Sequence, residues 1–176
     1  MAQIFISVGT NTNREHHLRM AVQELAQLFG SLQLSTVYES AAVGFTGDAF
    51  YNMVIGARTE LSVSDCVRHF KAIEDRHGRV RDGEKFCGRT LDLDLLTYDD
   101  YVCQQPLELP RAEIIENAFV LWPLAEIAGD QLHPVCLKTY QTLWSEYEKA
   151  QAIWPIEFEF EQSKQQNIYE YAQDEQ

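Results

Sequence analysis

The chain reads as an α+β domain: a ferredoxin-like β-α-β-β-α-β core with C-terminal helices and an acidic tail. Three observations carry that reading. Two segments with helical spacing interrupt four short apolar or alternating segments, in the order strand, helix, strand, strand, helix, strand. The 176 residues are 45% hydrophobic and 23% charged, the balance of a globular protein. No repeat or linker divides the chain, and its length suits about one domain, which buries ~70% of its unfolded surface.

Each element follows from local pattern. Residues 3–8 (QIFISV) are a short apolar run ended by Gly9, a buried strand, and Gly9-Thr10-Asn11 is a turn. From Glu15 to Leu28, the residues Leu18, Val22, Leu25 and Leu28 recur at helical steps, and Gly30 stops the helix. Residues 33–38 (QLSTVY) read as a second strand. Residues 39–49 (ESAAVGFTGDA) have no periodicity and predict a long loop of the kind that carries function. Strand character returns over 50–60 (FYNMVIGARTE). Ser62 to His77 is a helix capped by Ser62 or Ser64, with Val67, Phe70 and Ile73 as its apolar stripe. Residues 79–88 form another loop.

The run RTLDLDLLTYDD then sets Leu91, Leu93 and Leu95 on one face of a strand and Asp92 and Asp94 on the other. Residues 101–110 predict a short hairpin, 116–128 a helix kinked near Pro123, and 138–150 a terminal amphipathic helix. The expected organisation is one domain over residues 1–154, which the resemblance described below implies is catalytic, and an acidic extension over 155–176. Within that extension, PIEFEFE (155–161) alternates apolar and acidic residues, which fits either a solvated tail or a strand added to a sheet edge.

Charge narrows the partners. With 14 basic and 27 acidic residues the net charge is −13. Such a chain repels phosphate polymers and anionic surfaces, so nucleic acid and membranes are excluded as general partners. A phosphorylated ligand would need a local arginine cluster or a metal bridge. No apolar run approaches the ~20 residues of a spanning helix. The opening MAQIFISVGTN lacks a basic region and a cleavage site, so the expected location is the cytoplasm. Cys66, Cys87, Cys103 and Cys136 contain no C-x-x-C pair and read as free thiols. The histidines (His16, His17, His69, His77 and His133) show no metal-binding spacing and read as surface or capping residues.

The basic residues are unevenly placed. Six of the 14 (Lys71, Arg76, Arg79, Arg81, Lys85 and Arg89) fall within residues 71–94, among as many acids. Guanidinium groups match phosphate oxygens in planar geometry, so a loop with Arg79, Arg81 and Arg89 fits a phosphate clamp or a surface of ion pairs. Asp92 and Asp94, two apart on a strand, share a face with Cα atoms about 7 Å apart. Such a pair can be a Mg²⁺ platform or simply a polar sheet face.

Gly78-Arg79-Val80-Arg81 followed by Gly88-Arg89-Thr90-Leu91-Asp92-Leu93-Asp94-Leu95 resembles the signature of the 6-hydroxymethyl-7,8-dihydropterin pyrophosphokinases of folate biosynthesis. The resemblance extends over roughly residues 3–150. It takes in Ile6-Ser7-Val8-Gly9-Thr10-Asn11, Tyr38, Phe50-Tyr51-Asn52 and Phe119-Val120-Leu121-Trp122-Pro123-Leu124. It implies a ferredoxin-like enzyme that moves a pyrophosphoryl group from ATP to the hydroxymethyl oxygen of a reduced pterin, releasing AMP.

By the same resemblance, Asp92 and Asp94 would bind two Mg²⁺ ions, and Arg79 and Arg89 would hold phosphates and stabilise charge. Glu74, Arg81, Phe86 and the backbone at Leu95 would contact ATP. Asn52 would read the pterin edge, Phe119 would stack on its ring, and Ser40, Ala41, Val43 and Phe50 would line its pocket. The chain departs from the family at Ala41-Ala42, where prolines are usual. It also departs at Pro106 and Asn117, near usual basic positions, while Arg111 can restore one cationic contact to ATP. These departures leave two alternatives: a family member with an altered acceptor or nucleotide, or a non-catalytic small-ligand module. The expected partners are the pterin and ATP, with a monomer as the expected state and the tail as the place where an oligomer would form.

Overall fold

The computed structural model describes residues 1–42, 47–78 and 90–160. Its elements run β1 (Ala2–Thr10), α1 (Arg14–Phe29), β2 (Leu32–Leu34), β3 (Val37–Ser40), β4 (Phe50–Thr59), α2 (Val63–Arg76), β5 (Asp92–Tyr98), α3 (Glu113–Glu116), α4 (Ala118–Ala128), α5 (Tyr140–Ser145) and β6 (Ile153–Ile156). The sheet order is β5-β1-β4-β3-β6, with β2 also paired to β4, and every pairing is antiparallel. Taking β2 and β3 as one interrupted strand, this is the expected ferredoxin-like order with one strand added.

Side-chain alternation divides the sheet into two faces. On one face Ile4, Ile6 and Val8 of β1, Met53 and Ile55 of β4, and Leu93 and Leu95 of β5 pack beneath Leu18, Val22 and Leu25 of α1 and Phe70 and Ile73 of α2. The other face buries Phe5, Val54 and Leu96 against Ile114, Val120, Leu121 and Leu124. Leu96 lies on this second face by the same alternation that puts Asp92 and Asp94 there, and the pairing of β5 with β1 shifts register beside it, between Phe5 and Ile6. The alternation of faces expected for β5 thus holds from Leu91 to Leu96, and the irregularity follows.

Helix α2 begins as expected, with Ser62 Oγ accepting from Asp65 N–H at 3.1 Å. Its buried stripe contains Cys66, Phe70 and Ile73; Val67 is only half-buried. Burial pushes the Cys66 thiol up to about 11, which keeps it protonated and inert. Cys66, Cys103 and Cys136 are free thiols, and Cys87 lies outside the described residues.

Four local expectations change. The strand expected over 33–38 is two short strands, because Ser35 Oγ accepts from Val54 N–H at 2.9 Å and replaces a ladder carbonyl. The hairpin expected over 101–110 is a single bridge between Cys103 and Leu109. The helix expected over 116–128 is divided at Asn117, whose backbone is extended (φ −117°, ψ 123°), and Pro123 sits inside α4. The terminal helix is confined to Tyr140–Ser145: Ser145 Oγ donates to the Thr142 carbonyl, and a tighter turn from Tyr147 N–H to Trp144 O follows.

The tail contributes a strand. Ile153–Ile156 pairs with Val37–Ser40, and the following chain folds back so that Phe158 meets Tyr51 at 6.1 Å between ring centroids and lies under the Arg19 guanidinium at 4.8 Å. Residues 161–176 lie outside the described residues.

The turn after α4 carries a pH-sensitive support. Buried His133 accepts from the N–H groups of Val135 and Cys136 at its Nδ1, at 3.2 and 3.0 Å. Acceptance requires an unprotonated Nδ1, and burial lowers the ring's pKa below its usual value. Below pH ~6.5 the unfolded chain takes up this proton first, so stability falls with falling pH. His133→Gln is expected to flatten that part of the stability–pH curve in urea titrations. An unchanged slope between the two proteins would contradict this role.

Candidate active site

The face of the sheet that carries Asp92 and Asp94 is not covered along its whole length. Where α3 and α4 leave it open, a cavity of about 270 Å³ is lined by residues that include Ser7, Gly9, Asn52, Asp92, Asp94 and Phe119. Strand register explains the grouping. Gly9 lies opposite Asp92 on one side and Asn52 on the other, and Ser7 lies opposite Asp94. Successive strands therefore project these side chains to the same end of the same face.

Small residues make the space. A Cβ on Gly9 would come 3.4 Å from Asn52 Oδ1, within the open floor between Asn52 and Phe50. Asn52 is buried, and its Nδ2 donates to Ser40 Oγ at 2.8 Å. That bond fixes the amide plane and its donor and acceptor ends. Phe119, in the first turn of α4, and Asn117, just before it, close the opposite side.

The carboxylates occupy the edge strand. The Asp94 side chain is 49% exposed, and its Oδ1 lies 3.5 Å from Arg111 Nη2. Arg111 also approaches Glu113, with Nε 3.3 Å from Oε2. Glu113 itself lines the cavity. Asp92 and Asp94 thus supply hard oxygen donors on one wall, a pair suited to a Mg²⁺ ion that keeps part of its shell for water and phosphate, and Glu113 adds negative charge to the lining. The donor set fits the metal that the resemblance implies.

The expected site residues separate into three groups. Ser40, Ala41, Phe50, Asn52, Asp92, Asp94 and Phe119 are brought together around the cavity. Glu74, Leu95 and Arg111 do not line it. Glu74 is buried under α2, where its Oε2 accepts from Leu93 N–H at 3.0 Å along the outer edge of β5, and Leu95 belongs to the core on the helical face. Arg111 reaches the site through Asp94. Val43, Arg79, Arg81, Phe86 and Arg89 lie outside the described residues.

Ser7, Gly9 and Glu113 were not expected. The first two had a legible signal: after Phe5, the alternate positions of β1 shrink to Ser and Gly, which leaves room on that face. Glu113 had none.

Residues 5–129 match the model of the 7,8-dihydro-6-hydroxymethylpterin-pyrophosphokinase (HPPK) family. A 2-amino-4-hydroxy-6-hydroxymethyldihydropteridine pyrophosphokinase of Aquifex aeolicus is 31% identical over 141 residues, covering 78% of this chain and 88% of the relative. The enzyme of the same name from Synechocystis is 36% identical over 143 residues, covering 80% and 72% respectively. In fold, wild-type HPPK-DHPS of Plasmodium falciparum, crystallised with pteroate, superposes with a TM-score of 0.68 at 13% identity. This chain covers 42% of that longer protein, and the superposition covers 83% of this chain. Over the strands that build the cavity and the signature on β5, the chain belongs to the HPPK family.

Proposed function

We propose that the protein transfers a pyrophosphoryl group from ATP to the hydroxymethyl oxygen of 6-hydroxymethyl-7,8-dihydropterin, releasing AMP. The observation that carries this reading is the meeting, in one cavity, of a fixed buried amide and an aromatic ring with a pair of strand carboxylates. The amide and ring suit a flat heterocycle with hydrogen-bonding edges. The carboxylates suit a cation-bridged triphosphate.

The residues divide the work. Asn52, held by Ser40, presents a donor and an acceptor to the pterin edge, and Phe119 stacks on the ring. Ala41, Phe50 and Val43 complete the pterin side. In the reaction the hydroxymethyl oxygen bonds to the β-phosphorus of ATP, the bond from that phosphorus to the α,β-bridging oxygen breaks, and the hydroxyl proton is lost. No protein nucleophile is needed; positioning and charge neutralisation carry the rate.

Asp92 and Asp94 would hold two Mg²⁺ ions, which would neutralise triphosphate charge. Arg79 and Arg89 hold phosphate oxygens, while Arg81, Phe86, Glu74 and the backbone at Leu95 belong to the nucleotide side. Arg111 orients Asp94 and offers a cation beside it. The catalytic unit is residues 1–154, and residues 155–176 are an extension whose first two residues complete β6. The protein acts as a monomer in the cytoplasm; no helix among the described residues is long and apolar enough to cross a membrane.

Calorimetric titration with a non-hydrolysable ATP analogue tests the nucleotide half of this reading. Binding is expected with Mg²⁺ and at least tenfold weaker without it, since bare carboxylates repel the triphosphate (about 1.4 kcal/mol per tenfold). Equal affinity with and without Mg²⁺ would contradict the role given to Asp92 and Asp94.

A further inference from the structure

On the opposite side of the sheet from the cavity, where the start of α1 meets the end of α2, three histidines converge. His16 and His17 are adjacent in the first turns of α1, and His77 is the C-cap of α2. One ring nitrogen from each lies within 4.8 Å of those of the other two. The His16–His17 and His17–His77 ring centroids are 5.3 and 5.8 Å apart.

Two of the rings are already oriented as metal ligands are. His17 is buried, and its Nδ1 lies 2.6 Å from the Thr12 carbonyl. A carbonyl only accepts, so Nδ1 carries the proton and Nε2 keeps its lone pair. His77 Nε2 lies 2.5 Å from Glu24 Oε2, and Arg76 holds the other Glu24 oxygen at 2.8 Å. That contact leaves Nδ1 of His77 for a ligand. A histidine that binds metal through one nitrogen commonly gives the other N–H to a carbonyl or carboxylate, which fixes its tautomer and raises its basicity. Here both kinds of acceptor are present, one on each ring. His16 is exposed and can swing to complete the set.

We infer that His16, His17 and His77 form a Zn²⁺ site that joins the N-terminal end of α1 to the C-terminal end of α2, separate from the carboxylates of the catalytic face. Three neutral imidazoles suit a borderline ion such as Zn²⁺ and are poor ligands for Mg²⁺. Zinc bonds of 2.0–2.1 Å set ligand nitrogens about 3.4 Å apart in tetrahedral geometry, so ring nitrogens that lie within 4.8 Å draw together as the ion enters. Water takes the fourth position. Because the ligands come from two helices, the bound ion stabilises the folded chain by mass action.

The test is titration of the full-length, tag-free protein with Zn²⁺, followed by calorimetry and by melting temperature. One ion per chain is expected, with a higher melting temperature. His16→Ala removes an exposed ring and leaves the fold intact; it and His77→Gln are each expected to weaken binding about tenfold or more. Asp92→Asn and Cys136→Ser are expected to bind Zn²⁺ as the parent does. The assignment is overturned if the parent shows no saturable binding. It is also overturned if His16→Ala binds as tightly as the parent, or if Asp92→Asn abolishes the site.

Discussion

Replacing Asp92 or Asp94 with Asn is expected to lower kcat/KM by about a thousandfold or more, with a melting temperature close to that of the parent. The catalytic part of this expectation follows from placement. Both side chains lie on the cavity face of β5, and each Asn keeps the shape while removing a full charge. Losing one preorganised electrostatic group costs on the order of 10²–10³ in rate, and an anionic metal ligand lies at or beyond the upper end. The structural part follows from exposure. The Asp94 carboxylate is 49% exposed, and its contact with Arg111 spans 3.5 Å at a partly solvated surface. Such a pair contributes little, ~0–1 kcal/mol. Steady-state kinetics beside thermal melts check both halves. Near-parental turnover in both variants would remove the carboxylates from the mechanism.

The second large effect is expected at Asn52. Its amide is buried, bonded to Ser40 Oγ at 2.8 Å, and directed at the space above Gly9. Asn52→Leu keeps the volume but leaves the pterin edge without its partners once water is displaced. An unpaired buried polar group costs about 1–3 kcal/mol, and pterin recognition loses more than one bond. The expected result is a fall of about two orders of magnitude in kcat/KM for the pterin, with the KM for ATP unchanged. Asn52→Ser, which retains a short polar group near Ser40, is expected to fall between. An equal rise in both KM values would point instead to general damage to the fold.

Much of this was legible in the chain. The alternation of leucine and aspartate over residues 91–95 specified both the buried face of β5 and the outward carboxylates, because a period of two admits only one sorting. The stripes in α1 and α2 were legible for the same reason at a period near four.

What escaped was set by contacts between distant segments. Ser35 breaks its strand through a hydroxyl that reaches β4, and no local pattern encodes that bond. Glu74 is buried on β5's outer edge, where it satisfies the Leu93 N–H across 19 residues of chain. Glu113 enters the cavity because α3 follows Arg111, whose N–H is bonded to the Leu96 carbonyl of β5. The three histidines have no spacing signal at all, since His77 is brought to His16 and His17 by the packing of two helices. In the tail, alternation over 155–161 left a solvated tail and an added edge strand open; the strand forms, but earlier, with Ile153–Ile156 paired to β3.

The central claim is that one cavity brings a reduced pterin to a metal-bridged triphosphate for pyrophosphoryl transfer. Its most direct measurement is the nucleotide product formed when the protein meets ATP, Mg²⁺ and 6-hydroxymethyl-7,8-dihydropterin. AMP is predicted to appear in equal amount to the pterin diphosphate, and only when pterin is present. Formation of ADP, or no AMP above the pterin-free control, would contradict it.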